Sequence, residues 1–404
     1  MINLEIPKKF VPLVGQAHQV AEEVFRPISR KYDVGEHEYP KELDMLAALI
    51  DGMNDGSDLG GAGAAGVRRT EGKDEGVRNG SNMSTVLGII ELCWGDVGLL
   101  LSMPRQGLGN SAIASVANDE QLERFRGKWA AMAITEPEAG SDSAAIRTTA
   151  VLDERTGEYV LNGEKIYVTS GERADLVVVW ATLDRSVGRA AIKSFVVERS
   201  NPGMKLDRLE HKLGIRASDT AAFILDDCRV PPENLLGSPE VDTRKGFAGV
   251  MQTFDNTRPL VAGMAVGLTR ACLELTARLM ADAGVEVDWD RPAANQSAAA
   301  AEYLAMEADY ESARLLTLEA AWMADNSKPN SLQASMAKAK AGRTCVDVAL
   351  RCVRLCGSLG YSEELLLEKW ARDAKILDLF EGTQQIQLLI IARQLLGKSS
   401  AELK

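Results

Sequence analysis

Lys165-Ile166-Tyr167-Val168-Thr169-Ser170-Gly171 decides the fold. Aromatic and β-branched residues suit a pleated, half-buried strand, and Ser170-Gly171 supplies a turn. Alternation puts Tyr167 and Thr169 on one strand face. An aromatic beside a hydroxyl there can flank a flat heterocycle and bond its polar edge, although any half-buried strand favours the same two residues. Working outward, similar short runs lie at Val151, Tyr159-Val160, Leu176–Trp180, Ile192–Val197 and Phe223–Leu225. Asn162-Gly163 and Asn201-Pro202-Gly203 punctuate them. Such spacing predicts an antiparallel sheet or small barrel rather than a βαβ array. No GxGxxG follows any run, so a Rossmann cofactor site is not supported.

The flanks read differently. Leu13, Ala17, Val20, Ala21 and Val24 form a helical stripe, and a second apolar segment runs from Met83 to Leu101. Beyond residue 241 the pattern predicts helices near 244–283, 296–325, 331–356 and 383–396, with Asn330-Ser331 as an N-cap and Gly357 and Gly360 marking a turn. The expected fold is therefore mainly α with a central β domain. The expected domains are a helical one over 1–128, a β domain over 129–240 and a helical bundle over 241–404. A cleft where three such blocks meet is a common place for a ligand. Residues 51–80 hold nine glycines among thirty residues. No strand precedes Gly60-Gly61-Ala62-Gly63 and no clear helix follows it, so the stretch reads as a surface excursion rather than a phosphate loop.

Composition narrows the function. A net charge of −12 argues against nucleic acid and anionic membrane surfaces, but not against an anionic small molecule met by a local basic site. Met1 to Phe10 carries neither a secretory nor a transit pattern, and no window reads as a membrane span, so the expected compartment is the cytosol. The six Cys show no CxxC pair. Cys345, Cys352 and Cys356 recur at helical spacing, as free thiols on a packed face would. Only His18, His37 and His211 are present, which disfavours a His-metal site or a Ser-His-Asp triad. Carboxylates, hydroxyls and a cofactor are left to carry the chemistry.

Three further segments fit that role. Ala133-Ile134-Thr135-Glu136-Pro137-Glu138-Ala139-Gly140-Ser141-Asp142 runs from an apolar strand into small residues and hydroxyls, which lets backbone N–H groups approach a polar ligand; an ordinary tight turn has the same composition. In Phe254-Asp255-Asn256-Thr257-Arg258, Asp255 and Arg258 share a helix face, and the apolar Leu260–Val266 run that follows implies partial burial. In Arg372-Asp373-Ala374-Lys375-Ile376-Leu377-Asp378-Leu379-Phe380-Glu381-Gly382-Thr383, Glu381 closes an apolar run. A carboxylate in apolar surroundings has a raised pKa, and a stronger base is what a carbon acid needs. A solvated Glu at a helix boundary is the bland alternative.

Taken in order, these segments and Gly214-Ile215-Arg216-Ala217-Ser218-Asp219-Thr220 resemble the acyl-CoA dehydrogenase family over nearly the whole chain. The resemblance implies a helical domain, a β domain and a four-helix bundle. It also implies non-covalent FAD, a tetramer, and electron transfer flavoprotein as acceptor. By match of motif, Met132, Ile134, Thr135, Gly140, Ser141, Tyr167, Val168, Thr169, Thr383 and Gln385 contact FAD. Ser141, Phe254, Asp255, Arg258 and Gly382 contact the acyl-CoA. Glu381 takes the substrate's α-proton while the β-hydrogen leaves as hydride to the flavin. A flavin ribityl hydroxyl and the backbone N–H of Glu381 meet the charge that grows on the thioester carbonyl.

Two segments depart from the family pattern. An Arg-x-x-Phe-Gly motif expected after the first long C-terminal helix is replaced by Ala281-Asp282-Ala283-Gly284-Val285-Glu286-Val287-Asp288-Trp289, with Gln296 as a match to a downstream Gln. The Gln-x-Phe-Gly-Gly-x-Gly loop reads Arg354-Leu355-Cys356-Gly357-Ser358-Leu359-Gly360. Both segments serve the adenine end of FAD in the family. Either the cofactor is held differently, or a paralogous subunit of a heterotetramer supplies the missing contacts. Acyl-CoA oxidase and non-catalytic subunit stay open as alternative functions.

Overall fold

The computed structural model describes residues 6–53, 80–105, 108–241, 248–399 and 402, without the side chains at 49–53 and 248–256. Most of the Gly-rich stretch, 54–79, lies outside the described residues. Helix α1 (Val11–Val20) passes through one π-helical turn, Ala21–Phe25, into α2 (Arg26–Val34). The next helices are α3 (Glu42–Met53), α4 (Ser81–Gly95), α5 (Val97–Leu101), α6 (Leu108–Val116) and α7 (Asp119–Arg124). Asn118 and Gln121 form a reciprocal capping box at the start of α7.

The β elements fall between Ala130 and Val230. They are β1 (Ala130–Ala133), β2 (Thr149–Leu152), β3 (Tyr159–Thr169), β4 (Leu176–Thr182), β5 (Ile192–Glu198), β6 (Met204–Leu209) and β7 (Thr220–Val230). The strand order is β1-β4-β2-β3-β7-β6, with β5 also on β4. The sheet is mixed, which corrects the antiparallel expectation: β1 runs parallel to β4, and β2 meets β4 in one parallel bridge, Thr149–Thr182. A parallel pair needs a long connection, and the whole β2–β3 hairpin lies between β1 and β4. The composition reading missed β6, whose Met-Lys-Leu-Asp-Arg-Leu sequence is half charged and exposes those three charged residues, as edge strands often do.

The C-terminal block comprises α8 (Ala248–Asp282), α9 (Ala298–Asp325), α10 (Ser331–Tyr361), α11 (Leu367–Leu379) and α12 (Gln384–Leu396). Three expectations change here. Gly357 does not end its helix: it takes φ 57, ψ −128 and kinks α10, which continues to Tyr361. Asn330 stands at the N-cap but makes no capping bond and reaches Ala320 O instead. The segment Thr257–Asp282 is long and apolar enough to cross a membrane, contrary to the sequence reading. Since 78% of its most apolar window is buried inside the protein, it is the core helix of the bundle.

One core unites this bundle with α2, α4 and α5, and Ile215 and Ala217 from the loop before β7 belong to it. Two further cores fill the faces of the sheet. All six Cys are free, and Cys345 and Cys352 are buried in the bundle. Where the blocks meet, Lys369 is 1% exposed and contacts Asp96 Oδ2 at 2.7 Å and Asp373 Oδ2 at 2.5 Å. Asp373 Oδ1 accepts the Ile215 N–H at 2.5 Å, and Ser29 donates to Asp96. Four segments thus converge on one buried ammonium.

Two of the three His also lie at a block boundary. The His37 and His211 rings lie 5.0 Å apart, tilted by 57°, beside Glu36, whose carboxylate already binds the His211 ring at 2.9 Å and the Lys212 N–H at 2.8 Å. Ligand atoms of these three residues lie within 4.8 Å of one another, a metal-like grouping that the scarcity of His had argued against.

Candidate functional site

Glu381 lies in the turn between α11 and α12. Phe380 caps α11, and the chain then makes two positive-φ residues in succession, Glu381 at 55° and Gly382 at 90°. Thr383 caps α12, its Oγ1 accepting the Ile386 N–H at 3.4 Å. A non-Gly residue at positive φ is strained by about 1–3 kcal/mol and persists only where neighbours fix it. Here Lys338 Nζ donates to Gly382 O at 2.7 Å and to Asp378 O at 3.2 Å. Gln387 Nε2 donates to Glu381 O at 3.1 Å and Gly382 O at 3.2 Å. Gly suits 382, where φ is 90° and a Cβ would lie 2.3 Å from Gln387 Nε2 and displace the amide that holds the turn.

The Glu381 side chain turns toward α8, where its Oε2 accepts a 2.7 Å hydrogen bond from Thr257 Oγ1. Burial raises the carboxyl's pKa; the Thr257 bond and the charges of Arg258 and Lys338 oppose it without cancelling it. Thr257 and Lys338 were not singled out from the sequence. Thr257 lies inside a segment that was noticed for its charged neighbours, and a lysine in an Ala-rich helix gives no local sign of burial. Arg258 was expected to hold the CoA arm. The structure places it at 3% exposure, within reach of Ser335 and close enough to Glu381 to act on its charge. The side chains of Phe254 and Asp255 lie outside those described.

A second cluster joins the first two motifs. The Ile166 N–H donates to Thr135 O at 3.0 Å. Lys165 Nζ, fully buried, donates to Ile134 O at 3.2 Å and to Glu136 Oε1 at 2.7 Å. Glu136 also accepts from Thr148 N, Thr148 Oγ1 and Arg147 N at 3.0, 2.6 and 2.6 Å. Burial alone would raise the Glu136 carboxyl, but these partners hold it below the usual range, while burial pushes Lys165 down to about 8. Glu136 is thus the brace of its loop. The register slips between Lys165 and Val168, so Tyr167 sits at φ 57 on a bulge and is 62% exposed. The bulge breaks the alternation upstream, where Lys165 and Ile166 are both buried; beyond it, exposed Tyr167 and half-buried Thr169 flank buried Val168. Met132, Ile134 and Thr135 are half-buried, and Gly140 and Ser141 are exposed.

An exposed aromatic on a strained bulge, beside half-buried Thr135, is a surface that a flat heterocycle would cover. Buried Oε1 atoms of Gln384 and Gln387 have no hydrogen-bond partner among the described residues, so α12 also has polar capacity to offer a ligand. These residues fit a flavin. Gln385 is exposed, and Thr383 is engaged as a cap. At the two departing segments the side chains are occupied internally. Arg354 pairs with Glu302, and Gln296 bonds Asp288 N, Asp288 O and Arg291 O at 2.9, 2.7 and 2.8 Å.

Family models match twice: the acyl-CoA dehydrogenase middle domain over residues 131–228 and its C-terminal domain over 244–396. The chain belongs to the acyl-CoA dehydrogenase family. It is 32% identical, over 98% of its length and 92% of the relative's, to the mitochondrial short-chain specific acyl-CoA dehydrogenase of Rattus norvegicus. It is 30% identical to the acryloyl-CoA reductase (NADH) of Anaerotignum propionicum, over 95% and 93% of the two chains. Butyryl-CoA dehydrogenase from Megasphaera elsdenii superposes with a TM-score of 0.82 at 28% identity, covering 98% of this chain and 100% of that one. A chain from a structure of the electron transferring flavoprotein of Acidaminococcus fermentans gives 0.79 at 28%, covering 98% and 100%. This acyl-CoA dehydrogenase family member is an oxidoreductase with the family's fold of helices around a curled sheet.

Proposed function

We propose that this chain desaturates a short-chain acyl-CoA thioester between its α and β carbons, with Glu381 as the base. The observation that carries the reading is the Glu381 carboxyl, raised by burial and held toward α8 by Thr257. A base for a weak carbon acid works best when its pKa is lifted toward that acid and water is kept away. Thr257 orients the carboxylate for the α-proton, and the charges of Arg258 and Lys338 favour its ionised form. The backbone N–H of Glu381 would meet the thioester carbonyl and stabilise its growing charge.

FAD is the proposed cofactor: Met132, Ile134, Thr135, Gly140, Ser141, Tyr167, Val168 and Thr169 would hold its ring, with Thr383 and Gln385 at α12. When bound, it supplies the acceptor for the β-hydrogen. Ser141, Gly382 and, on α8, Phe254, Asp255 and Arg258 would contact the thioester and its CoA arm. The short-chain and butyryl relatives support the substrate class. The Acidaminococcus structure supports an electron transferring flavoprotein as acceptor. The Anaerotignum relative favours a second reading, the same site run as an enoyl-CoA reductase.

The test is the visible spectrum of the purified protein, titrated with butyryl-CoA and crotonyl-CoA. Bleaching of a flavin band by butyryl-CoA is expected. Glu381→Gln should keep the band and the ligand-induced spectral shift, yet slow bleaching by roughly a thousandfold, within the range of a removed general base. Bleaching by NADH with turnover of crotonyl-CoA, and none by butyryl-CoA, would establish the reductase.

A further inference from the structure

The Glu381–Gly382 turn is strained, yet neither of its residues supplies the bonds that hold it. Those bonds come from two buried polar side chains on other parts of the bundle. Lys338 lies on α10 and is 0% exposed, and Gln387 lies one turn into α12 and is also 0% exposed. Together they make four donations to carbonyls in this region: Lys338 to Asp378 O and Gly382 O, Gln387 to Glu381 O and Gly382 O. Burying an ammonium is costly, and replacing it by an apolar side chain is often tolerated or stabilising when charge is all it offers. This ammonium has a geometric task instead, because it bridges the end of α11 to the far side of the turn.

We propose that Lys338, assisted by Gln387, is a positioning residue that fixes the aim of the Glu381 carboxylate at the substrate's α-carbon. The inference rests on the reading of Glu381 as the base. Lys338 touches backbone only, so it acts through the turn. Its charge adds a second effect. The charged groups acting on it are Asp378 and Glu381 from the α11–α12 side and Arg258 from α8. With its charge present, the Glu381 carboxylate is favoured over the acid. Removing it loosens the turn and leaves Glu381 more easily protonated.

The experiment compares wild type, Lys338→Met, Gln387→Leu and Glu381→Gln as flavin-loaded protein. Butyryl-CoA and its α-deuterated form serve as probes, with a dye acceptor and rates expressed per bound flavin. For Lys338→Met the expected kcat loss is about a hundredfold, with KM within about threefold, because a misaimed base loses the reacting geometry and not the ligand. The α-deuterium isotope effect should grow, and the acid limb of kcat should move to higher pH. Gln387→Leu, which also serves if Lys338→Met does not fold, should show the same isotope signature with about a tenfold loss. A merely structural lysine would lower flavin content or thermal stability and leave kcat per flavin, isotope effect and acid limb alone. That result overturns the proposal. If Glu381→Gln turns over normally, the base reading itself is wrong. If Glu381→Gln is inert while the folded Lys338→Met or Gln387→Leu protein matches wild type, only the positioning role is wrong.

Discussion

The Glu381 site divides into a part that a sequence displays and a part that only packing creates. Glu381 and Gly382 are legible in sequence because they stand in register with three other segments of the family pattern; alone, an acid closing an apolar run before Gly has an ordinary reading. Thr257 does not stand out, since its value lies in the 2.7 Å bond it makes across 124 residues of chain. The bond has a measurable consequence. It favours the ionised carboxylate, and the base is active only when ionised. Thr257→Val therefore raises the Glu381 pKa further, and the activity lost on acidification is lost at a higher pH. A hydrogen bond to a charged group contributes about 1.5–3 kcal/mol, so the acid limb of kcat should rise by at least roughly one pH unit. Rates at alkaline pH should approach wild type, as a pH–rate profile with butyryl-CoA will show. An acid limb that stays in place would remove Thr257 from the site.

At the scale of elements, long apolar helices and most strands were legible because their periodicity survives burial. Two were not. β6 hid because a charged edge strand lacks the hydrophobic pattern of a buried one. Helix α11 hid because its residues Arg372-Asp373-Ala374-Lys375 were read as chemistry. The structure makes them a joint. Arg372 clasps Asp33 at 2.6 Å and Glu368 at 2.9 Å, and its backbone is where the Gly214 loop lands. A Cβ on Gly214 would lie 2.5 Å from the carbonyl carbon of Arg372, a backbone atom with no freedom to retreat. Gly214→Ala must therefore push the sheet's loop off α11. We expect destabilisation of about 1–3 kcal/mol, typical of overpacking, with faster proteolysis at the 210–218 loop. Denaturant melts and limited proteolysis check this, and unchanged midpoints would show that the loop can shift at no cost.

For the whole molecule, the resemblance predicted the order of blocks, but nothing in the sequence says how they are fastened. Asp373 is the i,i+4 neighbour of Lys369 on α11, but Asp96, Ser29 and Ile215 come from three distant segments that only folding brings to this cluster. Exposed apolar side chains on α10 and α12, including Leu350, Leu359, Tyr361, Leu388 and Leu395, fit a proposed tetramer, either of one chain or with a paralogue. The fastening inside the protomer is separate from that assembly. Burial lowers the Lys369 ammonium, but the two aspartates more than offset this and hold its pKa above the usual value. Lys369→Met leaves both carboxylates buried, with Asp373 already raised by burial. Breaking one side of a buried ion cluster costs about 3–5 kcal/mol, because the remaining charge is uncompensated. The midpoint of denaturant unfolding should fall accordingly. Adding Asp373→Leu to Lys369→Met should recover part of the loss by removing one stranded charge. The cluster sits between blocks and not at Glu381, so the acid limb of kcat per flavin should stay at the wild-type position. A double variant no more stable than Lys369→Met would show that the lysine acts by packing its stem and not by neutralising the pair.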